Sequence, residues 1–167
     1  MRNTVLALWL LRLCLMPLLA RPALAAEPVK NWFHDPFFQV RKQVAGCPMP
    51  LGPFGTEEDM KAQAHSRVER GTSCWRAGQC KKPNAYLYDA DIAKDLQRRF
   101  AKTSRFADAS LWITVQRRFV YVEGCTRNKQ AASGIDTFVR QTPDVQLVVT
   151  NTIIGTGKPN YPVMPAK

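Results

Sequence analysis

The sequence contains few of the residues that catalytic and metal sites need. It has two histidines, His34 and His65, and no Cys-x-x-Cys pair. The histidines are too far apart to follow a zinc-ligand pattern. A Gly-x-Ser-x-Gly elbow and a phosphate-binding glycine loop are both missing. We therefore expect no metal, no cofactor and no catalytic residue, and a hydrolase that uses one of the histidines is the less favoured alternative.

Acidic residues are also scarce, because 13 Asp and Glu stand against 24 Lys and Arg, giving a net charge of +11. A basic balance of this size suits an anionic partner such as lipid head groups or an acidic polymer. A basic balance can also serve solubility alone, and net charge does not decide between an anionic partner and solubility.

A long apolar run occurs only at the start of the chain. Met1-Arg2-Asn3 provides a positive start, an apolar stretch interrupted by Arg12 follows, and Ala23-Leu24-Ala25 provides the small residues of a cleavage site. Residues 1–25 are therefore predicted to be a signal peptide, since an uncleaved anchor needs an uninterrupted span of roughly 20 residues. Cleavage lowers the count of Lys and Arg to 21 against 13 acids, a net charge of +8. Export makes nucleic acid an unsuitable partner, and we expect no transmembrane span in the mature chain.

Four cysteines remain after the signal peptide and its Cys14 are removed: Cys47, Cys74, Cys80 and Cys125. An even number in an exported chain favours two disulfides over a metal site. Four cysteines allow three pairings, and the sequence alone does not choose among them. Our hypothesis is Cys74–Cys80, where Gly78 permits a tight turn, which leaves Cys47–Cys125.

Residues 26–88 are predicted to form an irregular, cysteine-containing extension. Its aromatic cluster at residues 32–38 either covers the core of the following domain or forms a lip for apolar ligands. One helix is predicted at about residues 56–70, with Thr56 as N-cap, acids in its first turn and an apolar stripe of Met60, Ala64 and Val68.

Residues 89–154 show a regular succession of helix, strand, strand, helix and strand. Asp89 begins a helix, residues 110–116 and 119–123 alternate as a hairpin, residues 128–140 form a second helix, and residues 145–154 form a last strand. The predicted class is α+β, a small mixed sheet with two helices. Residues 155–167, which contain three prolines, are expected to be a loose tail.

This order resembles the BON domain of envelope proteins in Gram-negative bacteria. The resemblance rests on the Leu-x-Ile-x-Val strand at residues 111–115, on Phe119-Val120-Tyr121-Val122-Glu123-Gly124, and on Asp144-Val145 before a valine-rich strand. It implies a periplasmic protein that binds phospholipid or other envelope components, supports envelope integrity or osmotic stress tolerance, and has no catalytic residue. Arg117-Arg118 stands where the family usually has glycine or asparagine, which predicts a wider hairpin loop.

The helix predicted to begin at Asp89 carries a basic stripe opposite its apolar face. The candidate contacts to an anionic surface are Lys94, Arg98, Lys102 and Arg105, extended by Arg117 and Arg118 if the hairpin tip lies nearby. The alternative is a solvated face, because Asp91 and Asp95 can form ion pairs within the helix. A protein-interaction adaptor, using a sheet edge or the aromatic cluster to join an envelope complex, is the alternative function.

Overall fold

The computed structural model describes residues 27–165, which form the expected α+β fold. The predicted signal peptide lies outside the described residues. No helix within residues 27–165 has the length and apolar character needed to cross a membrane. The elements are β1 (Phe37–Lys42), α1 (Glu57–Glu69), α2 (Thr72–Arg76), a 3₁₀ turn (Ala85–Tyr88), α3 (Asp89–Ala101), β2 (Ala109–Gln116), β3 (Phe119–Thr126), α4 (Lys129–Ala132), α5 (Ile135–Arg140) and β4 (Leu147–Ile154).

The sheet is mixed, as predicted, and has the strand order β1-β2-β3-β4. The pairs β1–β2 and β2–β3 are antiparallel, and β3–β4 is parallel. Strand β1 was not predicted, because its sequence does not alternate and its register shifts between Gln39 and Arg41. The extension of residues 26–88 therefore contributes an edge strand to the sheet of the following domain.

The main core lies between one face of the sheet and the helices α3 and α5. Ile92, Leu96 and Phe100 are almost fully buried on α3, and the alternating valine, leucine and isoleucine residues of β2 and β3 face them. Each such side chain contributes about 1.5–3 kcal/mol on burial. Arg41 of β1 ties the extension to this core, because its Nη2 donates to the carbonyl oxygens of Phe100 at 2.8 Å and Thr103 at 2.6 Å, at the end of α3.

The hairpin between β2 and β3 is tighter than predicted. Gln116 pairs directly with Phe119, so Arg117 and Arg118 alone make the turn, with φ angles of 53° and 68°. The expectation of a wider loop was wrong because the buried carboxylate of Asp89 holds the turn. Its Oδ2 accepts the backbone N–H of Arg117 at 2.6 Å and its Oδ1 that of Arg118 at 2.7 Å. These contacts offset a positive-φ cost of about 1–2 kcal/mol per residue.

The second predicted helix, residues 128–140, is two short helices. Gly134 has a φ of 78° and separates α4 from α5, so the prediction of one continuous helix was wrong. Ile135 and Phe138 face the core, whereas Ala131 is only partly buried.

Helix α1 begins as predicted, with Thr56 and Asp59 forming a capping box. Its predicted apolar stripe does not face a core, since Val68 is 61% exposed. The buried side chain of this helix is instead Arg67, which pairs with Asp35.

Residues 27–165 contain two disulfides, Cys47–Cys125 and Cys74–Cys80, and they coincide with the hypothesised pairing. Cys47–Cys125 fastens the segment after β1 to β3, on the sheet face opposite α3. The C-terminal segment packs nearby, since Tyr161 is buried and donates to the carbonyl oxygen of Pro48 at 2.9 Å. Pro50 pairs with Val163. The expectation of a loose tail was therefore wrong for residues 161–164, because backbone hydrogen bonds and an aromatic ring hold this segment.

Candidate functional site

The predicted basic stripe of α3 is exposed but carries mixed charge. Lys94 and Arg98 lie on its solvent face, and Lys102 is the exposed residue that directly follows the helix. Arg98 forms an ion pair with Asp95, so part of the positive charge is neutralised within the helix. The fourth residue, Arg105, lies beyond the end of α3, where its guanidinium stacks 5.0 Å from the ring centre of Phe106.

The structure does not bring the six predicted residues together. Asp89 is the first residue of α3 and holds Arg117 and Arg118, whereas Lys102 and Arg105 follow the last turn of that helix. A rise of 1.5 Å per residue separates the two groups by about 20 Å. The hairpin arginines are also half-buried, so they do not extend the exposed stripe.

A second basic cluster forms where the hairpin tip meets the extension. A cavity of about 280 Å³ opens there, and we refer to it as the hairpin pocket. Its basic residues are Arg70 from the end of α1, Lys82 after the short disulfide loop, and Arg118 from the hairpin; its other walls include Cys74, Cys80, Tyr88 and Gln146. Three separate segments thus direct cationic side chains to one cavity.

Each basic side chain of the hairpin pocket is held by packing. The guanidinium of Arg118 lies 4.5 Å from the ring centre of Tyr88, and its Nε donates to the carbonyl oxygen of Asp144 at 2.7 Å. Arg70 stacks 3.9 Å from the ring centre of Phe119. Lys82 forms a 2.5 Å ion pair with Asp91. Arg118 also has an ion pair, since its Nη2 lies 3.7 Å from Oδ1 of Asp144. Arg70 has no carboxylate partner within residues 27–165, and stacking leaves the edge of its guanidinium for an anion.

The positive charge at the hairpin tip is only partly compensated. Within residues 27–165, neither Arg70 nor Arg117 has an ion pair with a carboxylate. Burial lowers the pKa of Arg117, and repulsion from Arg67 and Arg70 lowers it further. An anion in the hairpin pocket would reduce this repulsion, and paired guanidinium donors suit phosphate or carboxylate oxygens.

A larger cavity of about 490 Å³ lies between α1, residues 33–36 and the start of α3. Its walls are mostly apolar, but the buried pair of Arg67 and Asp35 lines it. Nη1 of Arg67 donates to Oδ1 of Asp35 at 2.6 Å, and Gln116 donates to the same carboxylate at 2.7 Å. Burial raises the pKa of Asp89, which also lines this cavity, to about 6.

The aromatic cluster of residues 32–38 divides between the two roles expected for it. Phe38 packs against the core, and Phe37 meets the ring of Phe54 edge-on at 5.9 Å. Phe33 lines the larger cavity and stacks on Arg67 at 3.8 Å. Phe38 therefore joins the extension to the core, whereas Phe33 forms part of a cavity wall.

The residues that line the hairpin pocket include no histidine and no carboxylate. All four cysteines of the described chain are in disulfides. In that same part of the chain, no hydrogen bond joins His34 or His65 to a hydroxyl, and His65 instead lies 3.3 Å from a carboxylate oxygen of Glu69. No group of three or more His, Cys, Asp or Glu able to hold a metal occurs among residues 27–165. The arrangement is suited to binding an anion.

Sequence reasoning missed Arg70 and Lys82 because they belong to the extension. The available signal was their position: Arg70 ends a predicted helix, and Lys81-Lys82 directly follows Cys80. The sequence shows basic residues on both sides of the short disulfide loop. It does not show that Arg118 of the hairpin lies next to them.

Comparison with known proteins identifies the second half of the chain. The family model of the BON domain matches residues 88–156, which span α3 to β4 and less than half of the chain. No curated protein matches, and no solved structure matches. BON domains are typical of bacterial periplasmic and envelope proteins and are generally non-catalytic. Residues 88–156 of this chain are therefore a single BON domain.

Proposed function

We propose that this is a non-catalytic periplasmic protein that binds anionic phospholipid or another anionic envelope component and so supports envelope integrity or osmotic stress tolerance. The observation that carries this proposal is the hairpin pocket, where Arg70, Lys82 and Arg118 surround one cavity beside the BON hairpin. The BON match supports an envelope role in general terms.

The chemistry of an anionic head group fits this cluster. A phosphate diester presents two acceptor oxygens, and an arginine fork can donate to both at once. Each basic residue near a negatively charged membrane surface contributes about 1 kcal/mol. Lys94 and Lys102 on α3 would add attraction at longer range, because they are exposed and lack an ion-pair partner within residues 27–165.

The test is binding of the oxidised protein to liposomes of graded anionic lipid content, at low and at moderate salt. We expect binding to rise with anionic lipid and to fall with salt, because screening weakens exposed charge interactions. The double variant R70Q/K82Q should lose most of the binding. K94Q/K102Q removes the same charge from α3 and should lose less.

Two outcomes would contradict the proposal. Absence of binding at every lipid composition would exclude anionic lipid as the partner. Equal losses in the two double variants would mean that net charge, and not the hairpin pocket, governs binding.

An adaptor role is a second candidate, favoured by the edge strand β4. Residues Leu147–Ile154 contain no charge or proline, and the exposed side chains include Leu147 and Ile154. Such edges accept a strand from a partner unless charge protects them. The aromatic cluster is less suited to this role, because Phe38 packs against the core and Phe37 packs against Phe54. Recovery of one stoichiometric partner, lost in L147K/I154K but not in R70Q/K82Q, would support the adaptor role over lipid binding.

A further inference from the structure

A third cavity lies on the sheet face opposite α3 and has a different chemistry. Its volume is about 310 Å³. The strands β2, β3 and β4 contribute its polar side chains, which are Thr114, Gln116, Tyr121, Glu123 and Asn151, and Leu51 and Pro162 complete the lining. It is distinct from the hairpin pocket, with which it shares no residue.

Glu123 is the unusual group in this cavity. The described chain has three buried carboxylates, and two of them are partnered: Asp35 by Arg67 and Asp89 by the hairpin turn. Glu123 is 8% exposed, yet among residues 27–165 it accepts no side-chain hydrogen bond and forms no ion pair. Burial accordingly raises its pKa.

A second polar group in the cavity also lacks a partner. The hydroxyl of Thr114 is buried, and its Oγ1 makes no hydrogen bond within the described chain. Glu123 and Asn151 are register partners on β3 and β4, so their side chains lie on the same face of the sheet. The cavity therefore offers the carboxylate of Glu123 and the amide of Asn151, whereas Oγ1 of Thr114 is too buried to contact a ligand.

Buried polar groups are costly unless they are hydrogen-bonded, and a buried carboxylate is the most costly of them. The group that satisfies this set best is an ammonium, because it has one positive charge and three donors. The carboxylate of Glu123 and the amide oxygen of Asn151 provide acceptors on the same face of the sheet. Leu51 and Pro162 provide apolar surface for a short alkyl chain.

We propose that this cavity binds a small aliphatic primary amine, with its ammonium group on Glu123. A chain with a net charge of +11 has no general attraction for cations, so saturable binding of an amine requires a specific carboxylate.

The test is a nuclear magnetic resonance titration of the oxidised full chain with n-butylamine near neutral pH, at constant ionic strength. Butan-1-ol serves as the neutral probe of similar size. We expect saturable shifts of the backbone amides at Thr114, Glu123 and Asn151 with butylamine and none with butanol. E123Q should weaken binding about tenfold or more, the loss expected for a charge-assisted hydrogen bond. E58Q removes the same charge from an exposed position and should leave the affinity unchanged.

A second variant keeps the proposal testable if E123Q does not fold. N151D adds a carboxylate beside Glu123 and should bind butylamine more tightly than the unmodified protein. Equal binding of butanol, equal affinity of E123Q and E58Q, or shifts that do not saturate would each overturn the proposal. These results are independent of liposome binding, which depends on the hairpin pocket.

Discussion

Oδ1 of Asp89 accepts a hydrogen bond from the backbone N–H of Arg118 at 2.7 Å, which links the first residue of α3 to the tip of the β2–β3 hairpin. Oδ2 of the same carboxylate accepts from Arg117 at 2.6 Å. The turn uses two arginines with positive φ, a conformation that L-residues with large side chains disfavour. One buried acid thus fixes the hairpin and the position of Arg118 in the hairpin pocket.

The first prediction concerns the free energy of unfolding. D89A should lower it by about 2–5 kcal/mol, because two backbone donors of the turn lose their acceptor. Urea denaturation of the oxidised protein measures the change. D91A, in the same turn of α3 but exposed, is the matched control and should have a much smaller effect. Equal losses in the two variants would show that Asp89 does not hold the turn.

The second prediction concerns pH. The pKa of Asp89 is raised from 3.8 to about 6, chiefly by burial, so the folded protein binds this proton more tightly than the unfolded chain does. The stabilisation that comes from this bound proton is therefore fully present below pH 4 and is lost as the pH rises through 6, whereas the hydrogen bonds that Asp89 accepts from the turn contribute at every pH. The stability of the unmodified protein relative to D89N should fall over that interval and then level off. A constant difference, or one that rises with pH, would contradict the assignment.

The third prediction separates the two arginines of the turn. R117G should raise the free energy of unfolding by about 1 kcal/mol, because glycine adopts positive φ without steric cost. R118G relieves the same strain but removes the contacts of Arg118 with Tyr88 and Asp144, so its gain should be smaller or absent. Thermal unfolding compares the two variants. Destabilisation by R117G would mean that its hydrogen bond to Ser66 outweighs the strain.

The fourth prediction ranks the disulfides. Cys47–Cys125 spans 78 residues and Cys74–Cys80 spans six. From loop-closure entropy we expect Cys47–Cys125 to stabilise the folded protein by about 4–5 kcal/mol and Cys74–Cys80 by about 2 kcal/mol. C47S/C125S should therefore unfold at a much lower urea concentration than C74S/C80S. The reverse order would indicate that the short loop contributes mainly through the packing of the hairpin pocket.

Several features of the fold could be predicted because each depends on residues close together in the chain. The α3–β2–β3 succession follows from apolar residues repeating at helical and then at strand spacing. The start of α1 follows from the capping signal of Thr56 and the acids after it. The exposure of Lys94, Arg98 and Lys102 follows from their position opposite the apolar face of α3.

The features that could not be predicted depend on pairs far apart in the chain. Arginine is usually exposed, and Arg67 is buried here because it pairs with Asp35, 32 positions earlier. The turn at Arg117 and Arg118 had the wrong residues for a tight hairpin, and it formed because Asp89 lies 28 positions before Arg117. Residues 161–164 had no periodicity and became ordered against residues 48–51.

The sequence by itself determined the class of fold, the resemblance to the BON domain and the basic character of the protein, because composition and local periodicity contain that information. The tertiary structure decided where the positive charge is concentrated. Arg70, Lys82 and Arg118 come from three segments that meet only after the extension has joined the sheet. Glu123 likewise became an unpartnered buried acid only when the loop and the C-terminal segment packed over its strand. Periodicity reports which face of an element is apolar, and it does not report which distant segment covers that face.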